Sequence, residues 1–215
     1  MSLLSLNNLT VILKEQIILN KISFSLSSGE KVFILGPNGA GKTTLIETIM
    51  GFVPFQKGQI KFKGKVVANE KDFQELRKNV GYVFQNPDDQ LFSPTVEEEL
   101  AFGPLNLGWD RKRIKEKVSE ILAFFNIEHL RHKNTYELSG GEKRIVSIAC
   151  VLTMEPELLI MDEPSNGLDE KNFRILVEFL KNTDKSVIVV THDKDLVREL
   201  SWKTYFLREG KLTEE

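Results

Sequence analysis

Hydrophobic and polar residues alternate along the first part of the chain. The apolar members of this alternation are Leu4, Leu6, Leu9, Val11, Leu13, Ile22, Phe24 and Leu26. A period of two is typical of a β-strand with one buried and one solvated face. Residues 3–27 are therefore predicted to form a β-hairpin or a small antiparallel sheet, and not a signal peptide.

From residue 31 onward, short continuous apolar runs replace the alternation. Four of them lead directly into a glycine or a polar residue: Val32–Leu35 into Gly36, Val80–Phe84 into Gln85, Leu158–Met161 into Asp162, and Val187–Val190 into Thr191. Such runs are typical of strands buried on both faces of a parallel sheet. Because ligands bind at the carboxyl ends of these strands, the four strand ends are predicted to converge on one site.

The chain between Gln85 and Leu158 lacks strand-like runs for about seventy residues, which is far longer than an ordinary loop. Within Asp110–Asn126 the apolar residues recur at helical spacing: Ile114, Val118, Ile121, Leu122 and Phe125. We therefore predict a helical subdomain at about 88–155. It is inserted into a core that comprises about 1–87 and 156–215.

Composition changes this picture little. With 215 residues, 28% of them charged, and a net charge of −2, the chain suits one α/β domain and gives no reason to expect a nucleic-acid partner. The single Cys150 excludes an internal disulfide, and its apolar neighbours predict a packing role in a reducing compartment. No apolar run approaches the roughly 20 residues that cross a bilayer. We therefore expect a cytoplasmic chain that reaches a membrane only through a partner.

The segment Gly36–Thr43 reads GPNGAGKT and fits the phosphate-binding pattern G-x-x-x-x-G-K-[ST]. A buried strand precedes it and a predicted helix, Thr43–Met50, follows, so backbone N–H groups and the helix N-terminus face an anion. Lys42 is expected to contact the β- and γ-phosphates of ATP, and the Thr43 hydroxyl to bind Mg²⁺. The predicted nucleotide-binding residues of the loop are Gly36, Pro37, Asn38, Gly39, Ala40, Gly41, Lys42, Thr43 and Thr44.

Two adjacent carboxylates, Asp162 and Glu163, follow the strand Leu158–Met161. Neighbouring strand residues point in opposite directions, so the two are expected to have different roles. Asp162 suits a Mg²⁺ ligand, and Glu163 suits the base that polarises the attacking water. Capping of the next helix is the plain structural alternative. His192, at the end of another strand, is placed to donate to the γ-phosphate.

A second glycine-rich helix start, Leu138–Glu142, lies in the predicted helical subdomain. Ser139, Gly140 and Gly141 precede an apolar-periodic helix and form another anion site. Because the chain already has one phosphate cradle, the second half-site suggests a nucleotide sandwiched between two chains.

The ordered set of these motifs, together with Asn166–Asp169, resembles the nucleotide-binding domain of ABC ATPases over essentially the whole chain. The resemblance implies one ABC ATPase domain over 1–215. Its fold is α/β: a P-loop NTPase core with a mostly parallel sheet, an N-terminal antiparallel β subdomain and an inserted α-helical subdomain.

The same resemblance assigns roles to individual residues. It implies a head-to-tail dimer in which Ser139 and Gly141 close over ATP bound to the partner, with Asp169 at the dimer seam. Glu163 is implied as the catalytic base. Gln85 is implied to sense the γ-phosphate, and the expected catalytic set is Lys42, Gln85, Glu163 and His192. The expected Mg²⁺ ligands are Thr43, Gln85 and Asp162.

A narrower resemblance rests on Val83–Phe92, on Ala101–Pro104 and on Asn106–Gly108. These strings resemble the energy-coupling factor ATPases, formerly called cobalt-type, which power uptake of vitamins and transition-metal ions. This implies integral membrane subunits as partners and a peripheral position on the cytoplasmic face of the membrane. Asp88, Asp89 and Gln90 are the expected docking residues for a basic helix of that partner.

One departure from the family concerns adenine. ABC ATPases commonly stack it on an aromatic residue of the first strands, but Val11–Lys14 contains none. Ile12 is the expected apolar substitute.

Three alternative functions can be compared with the sequence. Another ABC importer or exporter would share every motif. A soluble ABC ATPase acting on DNA or ribosomes predicts a coiled-coil insertion, a second cassette or a basic face, and the sequence shows none. A binding module without turnover predicts loss of Lys42, Glu163 or His192, yet all are present.

Overall fold

The computed structural model describes residues 2–214, so the first and last residues of the predicted domain lie outside it. Its strands are β1 (Ser2–Leu13), β2 (Gln16–Ser27), β3 (Lys31–Leu35), β4 (Lys57–Phe62), β5 (Lys65–Val67), β6 (Val80–Val83), β7 (Leu158–Asp162), β8 (Ser186–Val190), β9 (Lys203–Arg208) and β10 (Lys211–Glu214). Its α-helices are α1 (Lys42–Met50), α2 (Glu70–Asn79), α3 (Val96–Asn106), α4 (Arg111–Phe124), α5 (Gly140–Leu152), α6 (Glu170–Asn182) and α7 (Lys194–Leu200). Short 3₁₀ turns cover Pro87–Asp89, Glu128–Leu130 and Thr135–Glu137.

The first strands form an antiparallel sheet in the order β2-β1-β4-β5. This confirms the predicted hairpin at residues 3–27. The strands β4 and β5 extend it, although only Ile60, Phe62 and Val67 of these two strands are buried. So few buried positions leave little alternation for a sequence pattern to detect.

A second sheet has the order β10-β9-β3-β8-β7-β6. The strands from β9 to β6 are parallel and β10 is an antiparallel edge strand. The four predicted buried strands are therefore neighbours, and the mostly parallel α/β fold is confirmed. Register pairs Ile34 with Val190 and Val190 with Asp162, so the carboxyl ends of β3, β8 and β7 lie level.

Successive residues of the parallel strands face two different cores. On one face, Val32, Ile34 and Ile188 pack with the hairpin and α1. On the other face, Phe33 and Val189 pack with the helices that follow β6. The helical segment between β6 and β7 thus shares a continuous core with the sheet. Within residues 2–214, none of the helices combines the length and apolar character needed to cross a bilayer.

Helix α2 is largely polar and buries few of its side chains. Leu76 is its one buried residue. A capping box forms instead: the Asn69 side chain accepts from the Asp72 amide at 3.1 Å, and the Asp72 carboxylate accepts from the Asn69 amide at 3.2 Å. Such a reciprocal cap satisfies two of the free backbone donors at the helix start and adds to the packing of Phe73 and Leu76 on the core.

Two adjacent phenylalanines offer a matched test of the shared core. Phe125 is fully buried, whereas 53% of Phe124 is exposed. We expect Phe125→Ala to lower the free energy of unfolding by about 3–5 kcal/mol, because burial is lost and a cavity is left. Phe124→Ala should cost much less. Chemical denaturation monitored by circular dichroism measures both, and equal losses would contradict the assignment of Phe125 to the core.

Candidate nucleotide-binding site

The loop between β3 and α1 can be built only with glycine at its first position. A Cβ atom on Gly36 would lie 2.3 Å from the carbonyl oxygen of Leu207 on the neighbouring strand β9. At the other end, Gly41 has φ +95°, in the left-handed region that favours glycine. Gly41 caps α1 without a side-chain hydrogen bond, so the first N–H groups of the helix remain open to an anion.

The side chain of Lys42 bends back over this loop. Its buried Nζ donates to the carbonyl oxygens of Gly36 at 2.8 Å and Pro37 at 3.1 Å. These contacts hold the ammonium group beside the backbone amides that the loop presents. A cation and N–H donors in one concavity form an electrostatic site for a polyphosphate.

A cleft of about 360 Å³ opens above the loop. Its lining residues are Ile18, Asn38, Gly39, Gly41, Lys42, Thr43, Thr44, Gln85, Asp162 and Glu163. The structure therefore brings together loop residues, Gln85 and the carboxylate pair, as the strand-end argument predicts. Gly36, Pro37 and Ala40 belong to the same loop but do not line the cleft.

Asp162 lies at the end of β7 and is fully buried. Its Oδ2 accepts a hydrogen bond from Thr43 Oγ1 at 2.8 Å. Burial raises the pKa of Asp162, and Glu163 adds to this, while the Thr43 hydrogen bond and the charges of Lys42 and Arg144 oppose it. A buried carboxylate and a hydroxyl in contact are two oxygen donors of the kind that Mg²⁺ prefers.

Glu163 turns away from Asp162 and binds the end of β8. Its Oε2 accepts from Thr191 Oγ1 at 2.8 Å, and its Oε1 lies 2.6 Å from His192 Nδ1. Glu163 also has φ +49°, which is unusual for a residue with a side chain. Backbone strain of this kind clusters at functional sites. The two carboxylates thus have separate partners.

Gln85 is connected to helix α5 through its own backbone. Arg144 Nη1 donates to the carbonyl oxygen of Phe84 at 2.6 Å, and Nη2 donates to that of Gln85. Gln90 adds a second link, because its amide accepts from Phe84 N at 3.0 Å and donates to the Ser147 carbonyl at 2.7 Å. The segment that carries Gln85 is therefore fastened to α5 on both sides.

Sequence reasoning missed Arg144 as a site residue. Burial lowers the pKa of Arg144, while the charges of Asp162 and Glu163 raise it. In the sequence Arg144 directly precedes the apolar Ile145 and Val146, and in the structure it is 2% exposed. A charged side chain on the buried face of a helix needs a partner, and here the partners are main-chain carbonyls.

Helix α5 begins at the predicted second anion site. Ser139 accepts from the Glu142 amide at 3.3 Å, while Glu142 accepts from the Ser139 amide at 2.7 Å. Burial favours a raised pKa for Glu142, but hydrogen bonds from Ser139 and Lys133 lower it overall. Glu142 therefore completes a capping box, and its charge stabilises the helix start.

The residues of this helix start do not line the cleft around Lys42. Ser139 and Gly140 are exposed, and a Cβ on Gly141 would lie 3.2 Å from Asn172 Nδ2 and 3.6 Å from the Gly167 carbonyl oxygen. The start of α5 therefore adjoins the turn that leads to Asp169. Asp169 itself caps α6, where its side chain accepts from the Asn172 amide at 2.8 Å.

The hairpin brings Ile18, and not Ile12, to the cleft. Ile12 is paired with Ile17 across β1 and β2, so these two share a face of the hairpin. Ile18 points to the opposite face and lines the cleft, where its Cγ2 would lie 3.0 Å from a Cβ on Gly41. The described residues that line the cleft include no aromatic side chain.

Comparison of the sequence with a family model and with known proteins indicates the same family in both cases. The model of the family described as ABC transporter matches residues 19–166. A putative ABC transporter ATP-binding protein of Brucella suis biovar 1 is 44% identical over 210 residues, which cover 98% of this chain and 87% of that protein. The energy-coupling factor transporter ATP-binding protein EcfA of Methanocaldococcus jannaschii is 43% identical over 202 residues, covering 92% of this chain and 72% of that protein.

Solved structures agree with the sequence comparison. CbiO1 of Clostridium perfringens, described as part of the ABC transporter complex CbiONQ, is 36% identical and superimposes with a TM-score of 0.87 over 99% of this chain and 87% of that one. The ATP-binding cassette MJ0796, a dimer in a post-hydrolysis state bound to ADP and Pi, is 25% identical, with a TM-score of 0.86 over 99% of this chain and 97% of that one. The chain therefore belongs to the ABC transporter family, as an ATP-binding subunit that hydrolyses ATP.

Proposed function

We propose that this chain powers uptake of a vitamin or a transition-metal ion as an ATPase of the energy-coupling factor type, acting as a head-to-tail dimer on the cytoplasmic face of the membrane. The observation that carries the ATPase part is the cleft in which Lys42, the Thr43–Asp162 pair and Glu163 meet. The similarity to EcfA and to CbiO1 supports the transport type.

The roles within the cleft follow from its contacts. Lys42 and the loop amides would bind the β- and γ-phosphates, and Thr43, Asp162 and Gln85 would hold Mg²⁺, which neutralises charge on these phosphates. Across the described part of the chain, no cluster of three or more His, Cys, Asp or Glu side chains is arranged to hold a metal ion. Oxygen atoms of the Thr43 hydroxyl, the Gln85 side-chain amide and the nucleotide would therefore join Asp162 in the coordination shell of Mg²⁺.

Glu163 suits the general base for water attack. Thr191 and His192 together occupy both of its carboxylate oxygens, which fixes its orientation. The exposed His192 ring, in contact with Glu163, is also placed to donate to the γ-phosphate. Turnover, and not binding alone, is the function that this arrangement favours.

The sandwich explains why the α5 start is exposed and lies outside the cleft. Ser139, Gly140 and Gly141 present a helix N-terminus to solvent, where it would meet the phosphates bound to a second copy or to a related ATPase. Asp169 lies in the adjoining turn and would line the same seam. The dimeric MJ0796 cassette supports this arrangement.

A groove of about 520 Å³ suits the membrane subunit. It is lined by aromatic and aliphatic side chains of α3 and α5 and by Arg77 and Lys78 of α2. Phe92 and Phe102 stand at its rim with their rings 4.7 Å apart, and both are exposed. Gln90 also lines it, so a helix docked there would touch the same amide that fastens the Gln85 segment to α5.

The contacts of Asp88 and Asp89 favour the groove over these two aspartates as the docking surface. Asp88 forms an ion pair with Lys143 at 2.5 Å. The carboxylate of Asp89 accepts a hydrogen bond from the side-chain amide of Asn86 at 3.2 Å. Neither lines the groove. A basic helix of the partner would have to compete with Lys143, whereas the apolar rim is open.

The base assignment is tested by Glu163→Gln. Loss of a general base should slow ATP hydrolysis about 10²–10⁴-fold, because general base catalysis contributes an effect of this size. Binding of ATP should persist, since the phosphate loop is unchanged. Phosphate release measures turnover and equilibrium dialysis measures binding, with exposed Glu178→Gln of α6 as the control. Hydrolysis near the wild-type rate in Glu163→Gln would rule out this role.

The sandwich is tested by Ser139→Arg. A long cation at the start of α5 should block closure over ATP held by another subunit and abolish cooperative ATPase activity, while each single chain still binds ATP. Ser28→Arg, on the exposed turn after β2, is the matched control. Unchanged ATPase activity in the Ser139 variant would contradict a shared site.

The groove is tested by Phe102→Glu in the presence of co-expressed integral membrane subunits. A charge at the apolar rim should reduce assembly with these subunits without changing the ATP affinity of the isolated chain. Phe124→Glu provides the control, because Phe124 is similarly exposed but lies away from the groove. Size-exclusion chromatography of the complex reports assembly. Equal assembly of both variants would place the membrane partner elsewhere.

A further inference from the structure

The cleft described above binds phosphates well but offers little to a purine base. Its lining consists of loop residues, an amide, two carboxylates and one large apolar side chain, Ile18. Bases bind favourably on aromatic faces, which contribute about 1–3 kcal/mol per base. An aromatic surface for the base is therefore to be sought outside this cleft.

Tyr136 is an exposed aromatic residue without a visible structural role. The exposed fraction of its side chain is 72%. Other exposed aromatic residues have partners: Phe92 packs on Phe102, Phe124 on Phe125, and Phe52 lies under Arg77. Within residues 2–214, neither an aromatic ring nor a cation is found against Tyr136.

The backbone around Tyr136 is nevertheless firmly anchored. Thr135 Oγ1 donates to the Ser93 carbonyl at 2.6 Å in a buried contact, and Thr135 N donates to the Pro94 carbonyl at 3.1 Å. Leu138, two residues later, is buried in the core of the helical segment. A loop tip that merely followed the surface would not need these contacts. The 3₁₀ turn therefore holds the ring out towards solvent in a defined place.

The position of Tyr136 relative to Ser139 decides what the ring can reach. Tyr136, Ser139 and Gly140 are all exposed, with only the buried Leu138 and the exposed Glu137 between them. Three residues span at most about 10 Å. A nucleotide whose terminal phosphate lies at the start of α5 can therefore extend its ribose and base towards Tyr136.

We propose that Tyr136 stacks on the adenine of the ATP molecule that is bound by the phosphate loop of a second copy of this chain. This rests on the head-to-tail dimer of the proposed function. The ligand is the purine base of a nucleoside triphosphate, contacted on one side by Ile18 of the chain that binds the phosphates and on the other by Tyr136 of the opposing chain. The base thereby becomes part of the dimer contact, and a single chain binds it without an aromatic partner.

The decisive experiment measures ATP-driven dimerisation in the Glu163→Gln background, where ATP is not consumed. Analytical ultracentrifugation over a range of ATP concentrations gives the concentration at which half of the chain is dimeric. Tyr136→Ala should raise this concentration roughly tenfold, since one stacking contact per site is lost. Tyr136→Phe retains the ring and should leave it unchanged. The exposed His129→Ala, in the same helical segment, is the control.

A second measurement separates the two subunits. In the Ser139→Arg background, where the sandwich is blocked, Tyr136→Ala should leave the ATP affinity of the single chain unchanged within twofold. A weaker ATP affinity of the single chain would overturn the proposal, because it would show a contact within one subunit.

The outcomes also separate this proposal from the dimer on which it rests. If the Glu163→Gln chain dimerises with ATP and Tyr136→Ala has no effect, the stacking role is wrong while the sandwich stands. If the Glu163→Gln chain stays monomeric at saturating ATP, the sandwich between copies is absent and the stacking role falls with it.

Discussion

The hydrogen-bonded register of β3, β8 and β7 is the constraint on which the site depends. Ile34, Val190 and Asp162 lie level across three parallel strands, so the chain leaves each strand at the same height. The phosphate loop, Thr191 with His192, and Glu163 are therefore delivered to one edge of the sheet from distant parts of the sequence. A slip of β7 by one residue along its neighbour would reverse which of its side chains face each core. It would also separate Thr43 from Asp162.

Charge is concentrated at this edge, and each charge is balanced by a neighbour. Burial disfavours the ionised forms of Asp162 and Arg144, while their mutual attraction opposes this effect for both and the charge of Lys42 opposes it for Asp162. Removing one member would leave another buried and uncompensated, which costs more than a surface ion pair contributes. The cleft and the start of α5 are thus linked electrostatically as well as through the backbone of the Gln85 segment.

Much of the fold and the core of the site could be predicted from sequence, because the decisive signals are local. Each of these signals indicates the conformation of the segment in which it occurs. Examples are the apolar runs before Gly36 and Asp162 and the glycines of the phosphate loop. Contacts between distant segments leave no such signal. Arg144 reads as an ordinary polar position of a helix, and whether Ile12 or Ile18 lines the cleft depends on the register of a hairpin that alternation alone does not fix.

The hydrogen bonds from Arg144 to the Gln85 segment have a consequence for how the sequence of such a protein can change. Both acceptors are main-chain carbonyls, and a carbonyl is present whatever side chain occupies the position. Side chains of the neighbouring groove other than Gln90 can therefore be exchanged while the hydrogen bonds that join the Gln85 segment to α5 are retained. The surface of the groove and the backbone connection behind it are thus free to change independently of each other.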